Sequence, residues 1–332
     1  MERVVSGIRP TGKLHIGNYF GAVANFLKMQ YEYDCFFFIA DIHSLTTHPT
    51  PADLHQNVKH VLAEYIAAGL DIDKCTLFVQ SDVPEISELY TYMNMNAYLG
   101  ELERSASFKE KIRMNPDNVN AGLLTYPVLM AVDILVHRAH KVPVGKDQEQ
   151  HIEMTRQFGN RFNRLYNVDF FPEPQAFSYS NALVKVPGLT GSGKMSKSGG
   201  EADAIFLSDD ESINTKKIMR AKTDEGPKTQ NQKKPTEVQN LFDLMQLVCK
   251  PDVIDTFNSD YNACAIRYGD LKKQLAYDME IFLKPIRERF IDTLKNENLL
   301  ANAAKIGAEK ARASASRTLK EVREIIGIRK FY

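Results

Sequence analysis

The sequence predicts an α/β protein in which a doubly wound parallel sheet is followed by a mainly helical second part. Over the first half of the chain, short apolar strands alternate with amphipathic helices, which is typical of a parallel sheet covered on both faces. Beyond residue 200 no further run has the character of a buried strand, and the apolar residues there recur at helical spacing.

The first element is a strand around Val4 and Val5 that enters a turn and then a helix. The apolar residues of that helix recur at helical spacing, and they are Tyr19, Phe20, Val23, Phe26 and Leu27. The helix begins near His15, Gly17 and Asn18, where free N–H groups and a partial positive charge favour a bound phosphate. A glycine at this point lets a ligand approach the backbone closely. A plain helix cap by Asn18 is the alternative.

The next strand is a continuous apolar run over residues 35–40, which predicts a central strand buried on both faces. Asp41 and His43 follow at its carboxyl end, where open α/β sheets place their ligands. Further along, we expect a helix over residues 51–69, a strand over 76–80 and a helix over 86–99. The sheet contains no G-x-G-x-x-G motif, so the dinucleotide-binding version of this fold is not supported.

A carboxylate interrupts an otherwise apolar helix predicted over residues 122–137. Tyr126, Met130 and Asp133 are spaced i, i+4 and i+7 and therefore share one face of that helix. Burial of Asp133 is unfavourable unless a hydrogen-bond donor meets it. One interpretation is that Asp133 caps a helix or forms an ion pair, for example with Arg138. The other is that it accepts a hydrogen bond from a polar group of an otherwise apolar ligand. We favour the ligand-binding role, because perturbed buried acids concentrate in functional sites.

A second strand-to-helix turn lies at Val144 and Gly145, followed by Lys146, Asp147 and Gln148. Its polar side chains repeat the arrangement of the first turn. A plain N-cap by Asp147 is the alternative interpretation.

A segment rich in glycine and proline, residues 186–200, is predicted to be a linker or mobile loop. Residues 188–194 fit the G-x-x-x-x-G-K opening of a P-loop, but Met195 stands where Ser or Thr should hold magnesium. Two glycines also follow where a P-loop requires a long helix. The competing interpretation uses Lys194 and Lys197, which can close over a polyphosphate and stabilise developing charge.

Composition and charge exclude several classes of protein. The chain has 42 basic and 42 acidic residues, so a nucleic-acid partner would have to meet local basic patches rather than a global field. No apolar run is long enough for a membrane helix and no secretory signal is visible, so we expect a cytoplasmic protein without a membrane partner. Four widely separated cysteines indicate reduced thiols. His137 and His140 lack companion ligands, so no protein-bound metal is predicted.

Two motifs occur in the order typical of class I aminoacyl-tRNA synthetases, a family that the chain resembles: HIGN at residues 15–18 and KMSKS at residues 194–198. The resemblance narrows to the bacterial tryptophanyl-tRNA synthetases. The segments that carry it are SGIRPTG (6–12), GELER (100–104), FKEK (108–111), LMAVDIL (129–135) and VPVGKDQEQH (142–151). Val5 stands where some members of that family place an aromatic ring against the indole.

The resemblance implies three parts: a Rossmann-type catalytic domain over residues 1–186, a mobile KMSKS loop over 187–200, and a helical anticodon-binding domain over 201–332, whose last helix can pack back on the first domain. It implies a tryptophan pocket of His43, Tyr126, Met130, Asp133, Val144 and Gln148, in which Asp133 accepts the indole N–H. The implied ATP site comprises Arg9, Pro10, Thr11, Gly17, Asn18, Gly145, Lys146, Asp147, Val186, Lys194, Met195, Ser196, Lys197 and Ser198. The implied catalytic residues are His15, Asn18, Lys194 and Lys197, with Lys109 and Lys111 as phosphate-facing candidates.

The resemblance also implies a reaction, in which ATP activates L-tryptophan to tryptophanyl-adenylate, pyrophosphate leaves, and tryptophan passes to tRNA(Trp). The carboxylate of tryptophan attacks the α-phosphate, so positioning and charge stabilisation supply the catalysis. ATP with Mg²⁺ is the expected co-substrate, and a cytoplasmic homodimer without DNA or membrane partners is expected. Three alternatives remain open: a tyrosyl-tRNA synthetase, a P-loop ATPase or switch that uses residues 188–194, and a synthetase-like protein that binds tryptophan or RNA without charging.

Overall fold

A computed structural model describes residues 1–114, 116–145, 148–177, 185–191, 193–196 and 200–331. Within these residues, five strands form one parallel sheet in the order β3-β2-β1-β4-β5. The strands are β1 (Arg3–Ile8), β2 (Asp34–Ile39), β3 (Thr76–Val79), β4 (Lys141–Pro143) and β5 (Gln175–Phe177). The predicted doubly wound α/β sheet is therefore confirmed, and its strand order reverses between β1 and β4, where such sheets bind ligands.

Helices connect and follow these strands. In the first half they are α1 (Ile16–Asn18), α2 (Ala24–Met29), α3 (Asp41–Ser44), α4 (Pro51–Ala68), α5 (Pro84–Asn96), α6 (Leu99–Arg104), α7 (Ala106–Met114), α8 (Ala121–Leu135) and α9 (Glu149–Tyr166). In the second half they are α10 (Glu211–Met219), α11 (Thr236–Val248), α12 (Pro251–Asn262), α13 (Tyr268–Lys295) and α14 (Glu297–Ile326). Among the residues that the structure describes, no helix combines the length and the apolar character that a membrane crossing requires.

Successive strand residues point to opposite faces of the sheet and enter two separate hydrophobic clusters. Val4 and Phe37 belong to one cluster, whereas Val5 and Phe38 belong to the other. All residues of β2 after Asp34 are buried, as expected for a central strand. The sheet is thus covered on both faces, which leaves the carboxyl ends of its strands as the edge that a ligand can reach.

The C-terminal helix α14 lies directly against the edge strand β3. A Cβ atom added to Gly307 would stand 1.6 Å from the carbonyl oxygen of Leu77, so only a glycine permits this approach. Ala311 and Ala315, one and two turns further on, are fully buried in the same contact region. A long helix from the end of the chain therefore covers the β3 side of the sheet.

One hydrophobic cluster crosses the predicted boundary at residue 186. It contains Leu14 and Val186 on one side of the boundary and Leu207 and Phe242 on the other. The division into a catalytic domain, a loop and an anticodon-binding domain stays a prediction.

Two predicted helices differ in detail from the structure, and one strand is additional to those predicted. The first helix is interrupted, because a wider π-helical turn (Tyr19–Val23) separates α1 from α2. The helix predicted over residues 86–99 runs instead from Pro84 to Asn96, and α6 begins only at Leu99. The three-residue strand β5 was not expected, because it directly follows two prolines and is too short to show a periodic pattern.

Candidate active site

A cavity of about 610 Å³ opens at the carboxyl ends of β1, β2 and β4. Gly7 and Ile8 from β1, Ala40 after β2 and Pro143 at the end of β4 contribute to its wall. One face of α8 closes it from the side. Many of the predicted site residues line this one cavity, namely Arg9, His43, Lys111, Tyr126, Met130, Asp133, Val144, Gly145 and Gln148. The cavity therefore occupies the switch point of the sheet, as the fold predicts.

Asp133 is the buried acid of this cavity, with only 2% of its surface exposed. The side-chain amide of Gln80 donates to both of its oxygens, at 2.8 and 3.0 Å. His43 Nε2 lies 2.9 Å from Asp133 Oδ2. Burial raises the pKa of Asp133, while the hydrogen bonds from His43 and Gln80 act in the opposite direction. The suggested partner Arg138 pairs instead with Glu321, at 2.7 Å, so the prediction that Asp133 pairs with Arg138 is wrong.

Gln80 is a site residue that the sequence analysis did not identify. The apolar pattern places it at the end of a strand, but β3 ends at Val79, and Gln80 begins a short 3-10 turn with no exposed surface. Its position was informative, because it is the first polar residue after a buried strand, as Asp41 is after β2. The same rule that selected Asp41 and His43 would have selected Gln80.

Aromatic and cationic groups meet at another part of the cavity wall. The Tyr126 hydroxyl hydrogen-bonds with Nε2 of His151, and the Lys111 ammonium lies 3.3 Å from the centroid of the Tyr126 ring. Burial, together with the positive charge of Arg9, lowers the pKa of Lys111 to about 8. Burial also lowers the pKa of Arg9. Two partly desolvated cations facing one cavity favour an anionic ligand there.

The HIGN turn (residues 15–18) begins with an unusual cap. Nδ1 of His15 accepts the backbone N–H of Asn18 at 3.3 Å, and Oδ1 of Asn18 accepts the backbone N–H of His15 at 3.0 Å. The cap is thus made by His15, with Asn18 closing the reciprocal bond three residues later. A Cβ atom on Gly17 would lie 2.8 Å from the His15 ring, so Gly17 has to lack a side chain.

The HIGN turn is adjacent in the fold to the described part of the KMSKS motif (residues 194–198), which is Lys194, Met195 and Ser196. The same hypothetical Cβ atom on Gly17 would lie 3.5 Å from Cβ of Met195, which is only 1% exposed. The N–H of Met195 donates to the carbonyl of Val186 at 2.8 Å. Lys194 is exposed beside it, and Ser196 is half-buried. Two motifs almost 180 residues apart in the sequence therefore lie next to one another.

Residues 186–191 and 193–195 fold back on themselves instead of forming a P-loop. Pro187 pairs with Lys194 in an antiparallel bridge, and the N–H of Gly188 donates to Gly193 at 3.1 Å. In the part of this segment that the structure describes, no helix follows Lys194 before α10. The P-loop alternative is therefore wrong, because a P-loop runs from a strand into a helix N-terminus.

Some predicted residues do not line the cavity. Pro10 is buried, whereas Thr11 and Lys109 are exposed at the surface. The structure describes none of Lys146, Asp147, Lys197 and Ser198, so the proposed N-cap by Asp147 lies outside the described residues. Gln148 ends that turn and its backbone N–H donates to Gly145 at 2.9 Å. Over the residues that can be described, no group of three His, Cys, Asp or Glu side chains could hold a metal ion.

Comparison with known proteins agrees with this arrangement. A family model described as class I tRNA synthetases (W and Y) matches residues 1–284. A tryptophan–tRNA ligase from Porphyromonas gingivalis is 61% identical over 99% of this chain and 100% of its own length. One from Rickettsia conorii is 38% identical over 98% of both chains.

A solved structure shares the whole fold. The tryptophanyl-tRNA synthetase of Campylobacter jejuni, complexed with ADP and tryptophan, is 33% identical, and the TM-score is 0.89. The match covers 98% of this chain and 99% of that one. The chain therefore belongs to the class I tRNA synthetases, in the group of the tryptophanyl-tRNA synthetases.

Proposed function

We propose that this protein is a tryptophan–tRNA ligase. It activates L-tryptophan with ATP to tryptophanyl-adenylate, releases pyrophosphate, and transfers tryptophan to tRNA(Trp). The observation that carries this proposal is the buried carboxylate of Asp133 on the wall of a cavity at the switch point of the sheet. The family and the tryptophan–tRNA ligases that the chain resembles support it.

Tryptophan recognition rests on a polar group in an apolar wall. Gln80 and His43 hold the Asp133 carboxylate in place, and a carboxylate has further lone pairs for the indole N–H. Met130 and Val144 provide apolar surface in the same cavity, together with Tyr126. A site that pairs a buried polar group rejects analogues without the matching donor, because the carboxylate would then lose a partner. Phenylalanine is excluded in this way.

Phenylalanine has no donor, but tyrosine does, so the shape of the cavity must exclude tyrosine. Val5 lines the cavity where some relatives have an aromatic ring, and the ring of Phe38 lies on the same face of the sheet. A Cβ atom on Gly7 would stand 2.4 Å from the Phe38 ring, so this ring occupies the space over β1. We propose that Phe38 supplies the aromatic wall for the indole.

ATP is proposed to bind where the cavity meets the HIGN turn and the KMSKS motif. Gly17 permits close backbone approach, and the cations of Arg9 and Lys111 face the cavity. Lys194 and Lys197 are assigned to the departing pyrophosphate, with His15 and Asn18 at the triphosphate and adenosine. The remaining assignments, Pro10, Thr11, Gly145, Lys146, Asp147, Val186, Met195, Ser196, Ser198 and Lys109, stay as the resemblance implies them. Mg²⁺ would be held by the triphosphate oxygens, since magnesium commonly binds substrate phosphates.

The proposed mechanism needs no side-chain nucleophile. The tryptophan carboxylate attacks the α-phosphate, the bond to the β-phosphate breaks, and pyrophosphate leaves with its negative charge. The protein accelerates this step by holding the two substrates together and by placing lysines at the leaving group. Transfer to tRNA(Trp) then releases AMP.

The assembly is proposed to be a cytoplasmic homodimer. Exposed apolar side chains near the ends of α5 and α9 support a second copy as the partner, and they are Met95, Tyr98, Leu99, Leu165 and Tyr166. Arg161 of α9 stacks on Tyr98 at 4.1 Å and donates to the carbonyl of Asn96 at 2.8 Å, so α9 lies beside the end of α5. Sedimentation that finds only a monomer at micromolar concentration would contradict the dimer.

ATP–pyrophosphate exchange, with each amino acid supplied in turn and no tRNA, tests the activity. We expect exchange with tryptophan alone. Exchange with tyrosine would keep the fold and overturn the substrate, and tryptophan binding without exchange would indicate a non-charging protein. Because the chain contains no tryptophan residue, the indole fluorescence of the ligand reports binding without background from protein tryptophan.

A further inference from the structure

The HIGN turn is joined by hydrogen bonds to the segment that follows the KMSKS motif. The N–H of Ile16 donates to the carbonyl of Ile205, and the N–H of Leu207 donates to the carbonyl of Leu14, both at 2.9 Å. His15 lies opposite Phe206 in this short antiparallel pairing. Any displacement of one segment therefore moves the other.

Glu64 reaches this pairing from the middle of helix α4. Its side chain is 1% exposed, although it stands on a helix whose other acidic residue, Asp53, lies at the exposed N-terminus. One carboxylate oxygen accepts the backbone N–H of Leu14 at 2.8 Å. The other accepts the hydroxyl of Ser208 at 3.1 Å. A single carboxylate is thus bonded to both segments of the pairing, next to the residue that begins the HIGN turn.

A second carboxylate fastens the same pairing one residue further along. Asp209 binds Lys13 at 2.8 Å and Lys217 at 2.9 Å, and its side chain is also buried. Lys13 directly precedes Leu14, and Lys217 lies on α10. The residues on either side of the Leu14–Leu207 bonds are therefore fixed twice, once to α4 and once to α10.

We propose that Glu64 is a positioning residue for adenylate formation. It sets the position of the HIGN turn relative to the KMSKS motif through Leu14 and Ser208, and it touches neither substrate. This inference rests on the proposed function, because it assigns the two motifs to the same ATP molecule. In a reaction catalysed by positioning, a small misplacement of these motifs slows the chemical step.

The burial of Glu64 supports a role for its carboxylate in positioning the HIGN turn relative to the KMSKS motif. A buried ionised carboxylate is unfavourable, and an apolar side chain at this point of α4 would join the surrounding hydrophobic cluster without that penalty. The backbone N–H of Leu14 makes no bond to the opposite segment and needs an acceptor, and Glu64 provides one that also reaches Ser208.

The test uses four variants of the whole protein. Glu64→Leu removes both acceptors at similar volume, Glu64→Gln keeps one acceptor for Leu14, and Ser208→Ala removes only the second bond. Val61→Ala is the matched control, because Val61 is fully buried one turn earlier on α4 and its truncation weakens packing alone. Each variant is measured for the kcat and ATP KM of pyrophosphate exchange per titrated active site, and for tryptophan binding by ligand fluorescence.

We expect Glu64→Leu to lower the kcat of exchange roughly 10- to 100-fold, with tryptophan affinity changed less than about twofold. Glu64→Gln should recover most of that loss, and Ser208→Ala should give a loss between the two. An unchanged kcat in Glu64→Leu would overturn the proposal, as would an equal loss in Val61→Ala. If Glu64→Leu does not fold, Ser208→Ala decides, since normal exchange in that variant contradicts a role for the second bond.

The proposed function and the positioning role of Glu64 can be contradicted separately. A parent protein without tryptophan-dependent exchange would contradict the proposed function. A parent protein with exchange, beside a Glu64→Leu variant that matches it, would contradict only the positioning role.

Discussion

The two ends of the proposed active site are built in different ways. At the Asp133 end, the polar groups stand on α8, on the short helix α3 and directly after β3, and they are bonded to one another and largely buried. At the phosphate end, Lys111 lies on the short helix α7, whereas Arg9 and Lys194 lie outside the helices and strands, and Lys194 is exposed. Arg9 and Lys111 face the cavity but make few bonds within the protein.

This difference separates selection from catalysis. Discrimination between amino acids needs a fixed partner whose position does not adapt to the wrong ligand, which buried and mutually bonded groups supply. Stabilisation of a departing pyrophosphate needs cations that meet charge only as it develops, which exposed side chains on a loop can supply. Changes at the two ends should therefore alter different kinetic constants.

Lys194→Ala should have the largest effect. Loss of a cation at the leaving group is expected to reduce the kcat of pyrophosphate exchange by about 100- to 1000-fold. Tryptophan affinity and the melting temperature should stay unchanged, because Lys194 is exposed. Lys284→Ala, an exposed lysine on α13, is the matched control and should behave as the parent protein. A change in tryptophan KM without a change in kcat would contradict the separation of the two ends.

Asp133→Asn should change the KM for tryptophan rather than the kcat. The amide keeps one acceptor oxygen but brings an NH₂ group towards the donors of Gln80 and His43. The acceptor for the indole N–H is therefore no longer held in the same position. We expect the KM for tryptophan to rise about 10- to 100-fold, with the kcat at saturation reduced much less. The measurement is exchange at varied tryptophan. Unchanged selectivity for tryptophan over phenylalanine would overturn the assignment of Asp133.

The Asp133 end was the more predictable from sequence. A carboxylate on an apolar helix, two residues on its own face and a His after a buried strand are all local patterns, and each lines the cavity. Gln80 is also a polar residue that directly follows a buried strand. The apolar pattern does not identify it as a site residue, because it places the end of that strand one residue too late. Strand ends are the least certain part of a periodic pattern, since the terminal residue has no partner on one side.

The contacts between the two motifs could not be predicted in the same way. Glu64 lies on an amphipathic helix, where a Glu is usually solvated, and its partners stand 50 and 144 residues away. The cap by His15 is equally hidden, because histidine is not a preferred N-cap residue. Patterns within a segment report which face is buried, but they do not report which distant backbone group an acid will meet.

Lys111 should make the KM for ATP depend on pH. With its pKa lowered to about 8, Lys111 is charged below that pH and neutral above it. If the ammonium helps to bind ATP, the KM for ATP should rise roughly tenfold as the pH increases from about one unit below the pKa to one above it. The KM for tryptophan should change less. Lys111→Arg keeps its charge over this range, so its KM for ATP should not rise, and an equal rise in both proteins would contradict the role of Lys111.

Gln80→Leu should produce the smallest effect and test how the Asp133 end works. Burial already raises the pKa of Asp133, and removal of two donated hydrogen bonds should raise it further. As the pH falls, Asp133 would then take up a proton earlier than in the parent protein, and a protonated carboxyl accepts the indole N–H less well. We expect the KM for tryptophan to rise a few-fold at neutral pH and to climb at a higher pH than in the parent during acidification. Gln239 is an exposed glutamine on α11, and Gln239→Leu should leave the KM for tryptophan and its pH dependence unchanged. A uniform rise in KM at all pH values would mean that Gln80 only fixes the carboxylate in space, whereas the shifted profile means that it also keeps Asp133 ionised.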